Sequence, residues 1–293
     1  MAANPGIVPR EKLQFGLDRG IPKYWLGGDP FKTRFCDAMS TIFPEGERYF
    51  ISCVRDFRDR VSDPTLQQEI KDFIRQEGQH GLIHRQFNEH LRAQGLDVDK
   101  LEGLTRSFLF NVMRKYFPKK HTLAATAAAE HLTSILAESI LARRDVMGDA
   151  DPRMFAMYAW HAMEEVEHKA VAYDVMQKAA GVGYLHRVYA LFQVTIIFNV
   201  HILLYTGYML RKDGFTVLQL LKQFARGLWW VYGPKGLFSS SLRTYLQYYK
   251  PGFHPWQQEV VPSYPLWLEI FNRTGDPVEA GRAVLKAIAV QGR

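Results

Sequence analysis

The sequence predicts an all-α protein, a four-helix bundle with additional C-terminal helices. One observation is periodic: apolar residues recur at helical spacing through most of residues 31–180, with Pro- and Gly-containing breaks between the runs. The other is a pattern written twice, a glutamate followed on the next helix by Glu-x-x-His. Glu47 lies 30 residues before Glu77 in Glu77-Gly-Gln-His80, and Glu130 lies 35 before Glu165 in Glu165-Val-Glu-His168. Neither a β-hairpin signal nor a glycine-rich phosphate loop interrupts this reading.

Residues 1–30 are rich in Pro and Gly and read as an extended arm. A helix starts at Phe31 and meets Pro44, which either begins a new helix or kinks the old one. Phe50, Val54, Phe57 and Val61 continue the stripe, with Glu47 on a nearby face. Ser62-Asp63-Pro64 stops this helix and starts the next. The second helix carries Leu66, Ile70, Phe73, Glu77, His80, His84 and Phe87 along one stripe and ends near Gly95. A shorter connecting helix over 101–117 closes at Pro118. The third bundle helix is expected over 122–146, where an alanine-rich run favours helix and permits close packing. After the break at Gly148–Pro152, the fourth carries Phe155, Tyr158, His161, Glu165, His168, Ala172 and Val175 on one face.

Residues 188–210 contain no Asp, Glu, Lys or Arg. At ~1.5 Å per residue they are long enough to span a bilayer. Gln193, Asn199 and His201 near the middle are costly in lipid, which favours a helix buried against the bundle. A membrane-embedded helix and an oligomer interface, such as a homodimer, are the alternatives. Residues 215–256 mix aromatics with Lys and Arg, a composition that suits an interfacial segment or a basic surface cap. The expected organisation is therefore an arm (1–30), a dinuclear metal bundle (31–180) and a helical basic and aromatic region (181–293) packed on the bundle or at a membrane surface.

Charge follows the same division. Residues 1–180 carry 25 Lys and Arg against 25 Asp and Glu, whereas residues 181–293 carry 12 against 5. The excess suggests a surface that meets anions, with peripheral membrane contact through 188–256 as one form. There is no nucleic-acid motif, so no nucleic-acid partner is expected. Cys36 and Cys53 offer neither a disulfide framework nor a C-x-x-C motif, and no secretory signal is visible. A cytoplasmic protein, with or without membrane association, is the expectation.

On a helix, positions i and i+3 share a face, so each Glu-x-x-His aims a carboxylate and an imidazole at one point. Four such helices converge four carboxylates and two imidazoles on a pair of metal ions. Four glutamates balance two divalent ions, and a set without thiolates suits Fe or Mn better than structural zinc. Glu77 and Glu165 are the expected bridging or chelating groups, His80 and His168 the terminal ones, and Glu47 and Glu130 complete one metal each. Glu45 competes with Glu47, and Glu138 with Glu130; Glu47 and Glu130 are preferred. His161 shares the face of Glu165 and His168 and is the preferred seventh ligand, with His84 the alternative. His131, Glu164 and Glu167 are expected outside the set, the two glutamates solvated or ion-paired.

The stretches FPEGERYF (43–50), RQEGQHGLIHRQFN (75–88), AAAEHLTSILAE (127–138) and WHAMEEVEHKAVAYD (160–174) resemble a bacterial family described as predicted metal-dependent hydrolases, in the ferritin-like superfamily. His161-x-x-x-Glu165-x-x-His168 also resembles the di-iron arylamine N-oxygenases, whose fourth helix supplies an additional histidine. That second resemblance implies that Glu47, Glu77, His80, Glu130, His161, Glu165 and His168 are all ligands. The expected function is a di-iron oxygenase or oxidase, holding two Fe ions, or a Mn/Fe or other divalent pair. It would take O2, an external electron donor and a small organic or lipid-like substrate. The alternative is a dinuclear hydrolase in which the metals activate water and His84 serves as base. Glu77, Glu165 and His84 are thus the expected catalytic groups. A metal-storage protein is a third reading.

Overall fold

In the computed structural model, which describes residues 5–291, the described chain is helical apart from loops and a single bridge between Leu26 and Ala150. The helices are α1 (Pro30–Arg55), α2 (Pro64–Ala93), α3 (Val98–Arg106), α4 (Arg114–Tyr116), α5 (Lys119–Ala142), α6 (Arg144–Met147), α7 (Pro152–His168), α8 (Val171–Lys178), α9 (Tyr184–Lys212), α10 (Val217–Tyr232), α11 (Leu242–Gln247), α12 (Ser263–Thr274) and α13 (Pro277–Gln291). A π-helical turn, Ser107–Met113, joins α3 to α4. The bundle is built from α1 packed on α2 and from α5 packed on α7 and α8, with α1 also meeting α5 and α2 meeting α7.

Three bundle helices start with the same local device. Asp29, Asp63 and Asp151 cap α1, α2 and α7 by accepting from backbone N–H groups of the first turn, and each is followed by a proline. Proline fixes the helical φ where its missing N–H has no intrahelical partner to lose. Pro44 neither ends nor restarts a helix, and α1 runs through it. Its missing N–H leaves the Ser40 carbonyl without the usual donor four residues on. Asn88 of α2 fills the gap, its Nδ2 lying 3.1 Å from Ser40 O, while Ser40 Oγ donates to Asn88 Oδ1 at 2.9 Å.

Two bundle helices differ from the sequence expectation. The third starts three residues early, at Lys119, and ends at Ala142, because Arg143 turns extended. The fourth is not continuous: α7 ends at His168, and the chain resumes as α8 at Val171. Helical periodicity persists through that break, so the apolar pattern alone gives no sign of it.

The remaining segments wrap the bundle. Residues 5–29 of the arm are non-helical and packed, with Leu13, Phe15, Leu17, Ile21, Trp25 and Leu26 all buried. Trp25 Nε1 donates to Asp37 Oδ1 at 2.9 Å. Helix α9 lies across α1 and α5, and α13 packs on α7. A Cβ on Gly281 would stand 2.8 Å from Ala156, so glycine lets α13 approach that closely. Among the described residues α9 is the helix long and apolar enough to cross a membrane; its inner face, including Ala190, Leu191, Ile202 and Met209, is buried on the bundle. The apolar core forms two clusters, one around Phe35, Phe87 and Phe155 and one around Phe73, Leu66 and Val54.

Replacing Asn88 with Ala leaves the Ser40 carbonyl buried without a donor. The expected loss is about 1–3 kcal/mol of stability, read as a lower urea midpoint at unchanged slope. An unchanged midpoint means that Pro44 is accommodated in another way.

Candidate metal centre

Between the two core clusters lies a polar layer. Its side chains are Glu47 of α1, Glu77 and His80 of α2, Glu130 of α5, and His161, Glu165 and His168 of α7, all buried. Glu77 Oε1 lies 3.0 Å from His168 Nε2 and 3.9 Å from His80 Nδ1. Glu165 Oε1 lies 3.1 Å from His161 Nε2, 3.6 Å from His168 Nε2 and 4.0 Å from His80 Nδ1. These two carboxylates are therefore central, and the others are grouped around them. Glu130 Oε2 is 3.4 Å from His168 Nε2, and Glu47 Oε1 is 3.8 Å from His161 Nε2. Glycine at 81 makes room for this: a Cβ there would lie 3.3 Å from Glu47 Oε2 and 3.7 Å from Pro44 Cα.

The donor set fits metal. Both carboxylate oxygens of Glu47, Glu77 and Glu130, together with His80 Nδ1 and His168 Nε2, are buried without a hydrogen-bond partner. Such groups are costly unless something else satisfies them. Four overlapping groups are close enough to share an ion: Glu77, Glu130 and His168; Glu47, Glu77 and His80; His80, His161 and Glu165; and Glu47, His84 and His161.

Each histidine is held from behind. His168 Nδ1 donates to Gln76 Oε1 at 2.8 Å, which turns Nε2 to the glutamates. Gln76 Nε2 in turn donates to Glu167 Oε2 at 2.7 Å. His80 turns Nε2 to Glu164 Oε2 at 3.2 Å, which frees Nδ1 for the site. His161 Nδ1 stands 2.8 Å from His84 Nε2, and His84 Nδ1 is 2.8 Å from Ser40 Oγ. With Ser40 donating to Asn88, the run has one consistent direction outward from His161 Nδ1, and His161 Nε2 is turned to Glu165 Oε1. Outer partners of this kind fix tautomer and ring orientation.

One cation anchors the back of the site. Arg10, from the arm, is buried, with Nη1 3.1 Å from Glu164 Oε1 and Nη2 2.7 Å from Glu167 Oε1. Tyr264 of α12 also donates to Glu167 Oε1 at 2.7 Å. Thr133 donates to Glu165 Oε2.

Burial and mutual repulsion shape the protonation of the layer. Burial, then the neighbouring carboxylates, pushes Glu47 and Glu130 well above the usual carboxyl range, and burial raises Glu77 as well. Burial alone would also raise Glu165, but His168 and His161 overcome it and hold this carboxyl well below the range. Burial would lower His168; Glu165, Glu130 and Glu77 reverse that and raise it well above an ordinary imidazole. Burial, with His161, keeps His80 well below it. Burial carries Glu164 up to about 8 against the opposing pull of Arg10.

The structure brings together the seven residues singled out as metal ligands, keeps His84 beside Glu47 and His161, and turns Glu45 and Glu138 away. Glu45 turns away to Arg48 at 2.7 Å and Arg106 at 3.2 Å. Glu138 is half-buried elsewhere, with Lys169 as its charged neighbour. His131 packs on Tyr248 and Phe253. The role of His84 as a base touching substrate does not fit. Both its ring nitrogens are engaged by Ser40 and His161, and it stands one ring behind the site. Glu164 and Glu167 are ion-paired, as one expected alternative had it, and fully buried. Arg10, Gln76, Thr133 and Ser40 were not singled out from sequence. Gln76 alone had a local signal, being four residues before His80 on the same face; Arg10 had none.

Beside the layer opens an apolar cavity of about 100 Å³ between α1, α5, α9 and the π-turn. Glu47, His161 and Glu165 form its inner end, and Phe108, Leu109, Met113, Ile197 and Phe198 line its walls. π-Turns of this kind are frequent at functional sites.

Residues 9–259 match the model of the family described as "Predicted metal-dependent hydrolase", and the chain belongs to that family. No curated protein matches the chain, and no solved structure does.

Two outcomes follow from the layer. Arg10→Met strips the cation from two buried carboxylates, which costs about 3–5 kcal/mol. Because those carboxylates orient His80 and Gln76, metal affinity falls by about 10–100-fold in an equilibrium chelator competition. Unchanged affinity removes the arm from the site. The raised Glu47, Glu77, Glu130 and His168 favour the folded apo protein at low pH, and that contribution is lost as pH rises through their raised values. Metal must displace those protons. Binding should therefore release protons and tighten as pH rises, as calorimetry in buffers of different ionisation enthalpy reads directly.

Proposed function

We propose that this member of the predicted metal-dependent hydrolase family is a dinuclear oxidase or oxygenase with two iron ions as its resident pair, acting on an apolar organic substrate seated in the cavity. Glu77, Glu130 and His168 would hold one metal, and Glu47, His80 and His161 the other, with Glu77 and Glu165 reaching both. The all-carboxylate and imidazole set suits Fe or Mn. The histidine added to the second position strengthens the likeness to the di-iron arylamine N-oxygenases, and the bundle the link to the ferritin-like superfamily.

The observation that carries the reading is the cavity: an apolar space that ends directly on Glu47, His161 and Glu165. Such a space orients an apolar molecule with one end at the layer and keeps bulk water away from it. Iron bound there supplies the electrons that reduce O2 and the power to oxidise a C–H or N–H bond, with an external donor restoring the electrons. The chain's own part is placement. The Phe108 and Phe198 walls hold the substrate, and the run from His161 to Asn88 keeps His161 Nε2 turned inward.

A dinuclear hydrolase is the second reading, favoured by the family description. It asks the metals to activate water beside a polar, cleavable bond. The cavity walls are poorly suited to that, and His84 is not free to act as its base.

Anaerobic Fe(II) titration should saturate at about two irons per chain. An O2 pulse should then be consumed, with a transient charge-transfer absorption. His161→Ala should lose one iron or its oxygen reactivity. Full metal binding without oxygen uptake, together with ester or amide hydrolysis by the Mn or Zn form, selects the hydrolase reading instead.

A further inference from the structure

The outer side of α9 presents an uninterrupted apolar stripe: Leu185, Tyr189, Phe192, Ile196, Val200 and Leu204, all exposed and spaced at three or four residues. Helix α10 lies beside the C-terminal half of α9. Phe224 rests on Gly207, and the Tyr232 hydroxyl donates to Asn199. Its inner side fits the bundle closely, since a Cβ on Gly227 would collide with the Phe31 ring. Its outer side exposes Val217, Leu218, Leu221, Leu228 and Trp229, with Leu218 64% and Trp229 69% accessible. Helix α11 flanks the N-terminal half of α9, joined by Tyr245 and Thr195, and adds exposed Leu242 and Leu246. Solvent-facing apolar surface on this scale marks a docking face.

Charge identifies the occupant. Residues 188–256 carry seven cations, Arg211, Lys212, Lys222, Arg226, Lys235, Arg243 and Lys250, and one carboxylate, Asp213. Asp213 is buried and bound to Arg34 and Lys23, so it contributes no negative charge to the outer face. Lys222 and Arg226 are exposed on the turn of α10 next to its apolar stripe. A second copy of the chain would bring cation against cation on such a face. Nucleic acid would meet the cations but leave the leucines and Trp229 unpartnered. An anionic bilayer satisfies both features, with apolar side chains entering the acyl boundary and cations meeting lipid phosphates.

We propose that the outer face of α9, α10 and α11 docks flat on the surface of an anionic phospholipid bilayer. Docking stands on this surface alone. Helix α9 also walls the cavity through Val194, Ile197, Phe198 and His201. Delivery of an apolar substrate from the bilayer to the metal layer would follow, and that step alone rests on the oxidation reading.

The test uses the full chain with two vesicle preparations, phosphatidylcholine alone and an equal mixture of phosphatidylcholine and phosphatidylglycerol. Co-sedimentation with the mixture and weak binding to phosphatidylcholine alone are expected, with binding reduced by salt. The pairs Lys222→Glu with Arg226→Glu, and Leu218→Glu with Trp229→Glu, should each weaken binding by at least about tenfold. These side chains are exposed, so the fold is retained. The proposal is overturned if the chain stays in the supernatant with both preparations, or if neither pair weakens binding. A dimer in light scattering that Leu218→Glu with Trp229→Glu dissociates also overturns it, since a second copy then covers the face. Metal need not be bound, so failure here leaves the iron and oxygen result untouched.

Discussion

Four carboxylates buried in one layer of an apolar bundle repel one another, and the structure is arranged around that repulsion. Water cannot screen Glu47, Glu77, Glu130 and Glu165 where they lie. Burial and mutual repulsion raise Glu47 and Glu130, and the surrounding carboxylates raise His168, shifts that favour protons on the layer. A pair of divalent ions would neutralise all four at once. Metal binding here would therefore be coupled to folding, because matching the charge stabilises the ordered layer.

A second layer repeats the problem with a different answer. Glu164 and Glu167 are as deeply buried as the inner carboxylates, but Arg10 contacts both, and burial raises Glu164 to about 8, so the single guanidinium charge does not face two full negative ones. Glu164 then stands 3.2 Å behind His80, and Glu167 anchors His168 through Gln76. A non-helical arm, distant in sequence from every motif, thus sets the orientation of two imidazoles. The third is set by His84, Ser40 and Asn88, and Asn88 also mends the gap that Pro44 leaves in α1. One side chain therefore serves both the helix and the site.

Helix α9 has a double role. Its inner face closes the cavity that ends on the metal layer, and its outer face carries the apolar stripe. The low charge of residues 188–210 follows from both faces being apolar, which is why the sequence reads equally as a bundle helix and as a membrane span. The structure sets one side on α1 and α5, where Arg187 and Thr206 are buried as well.

The sequence by itself determined the helical class, the starts of α1, α2 and α7, and the facing of each Glu-x-x-His pair. These depend on local geometry: Asp-Pro at a helix start, and the side shared by residues three apart. The tertiary structure decided which of two nearby glutamates turns inward. Glu45 and Glu47 lie about 160° apart on the helix, since each residue advances ~100°. Only the positions of Arg48 and Arg106 show that Glu45 is the one drawn away. The same holds for Glu138, for His84 behind His161, for the break between α7 and α8, and for Arg10. Each depends on which groups distant segments bring within a few ångströms, and a periodic pattern carries no record of that.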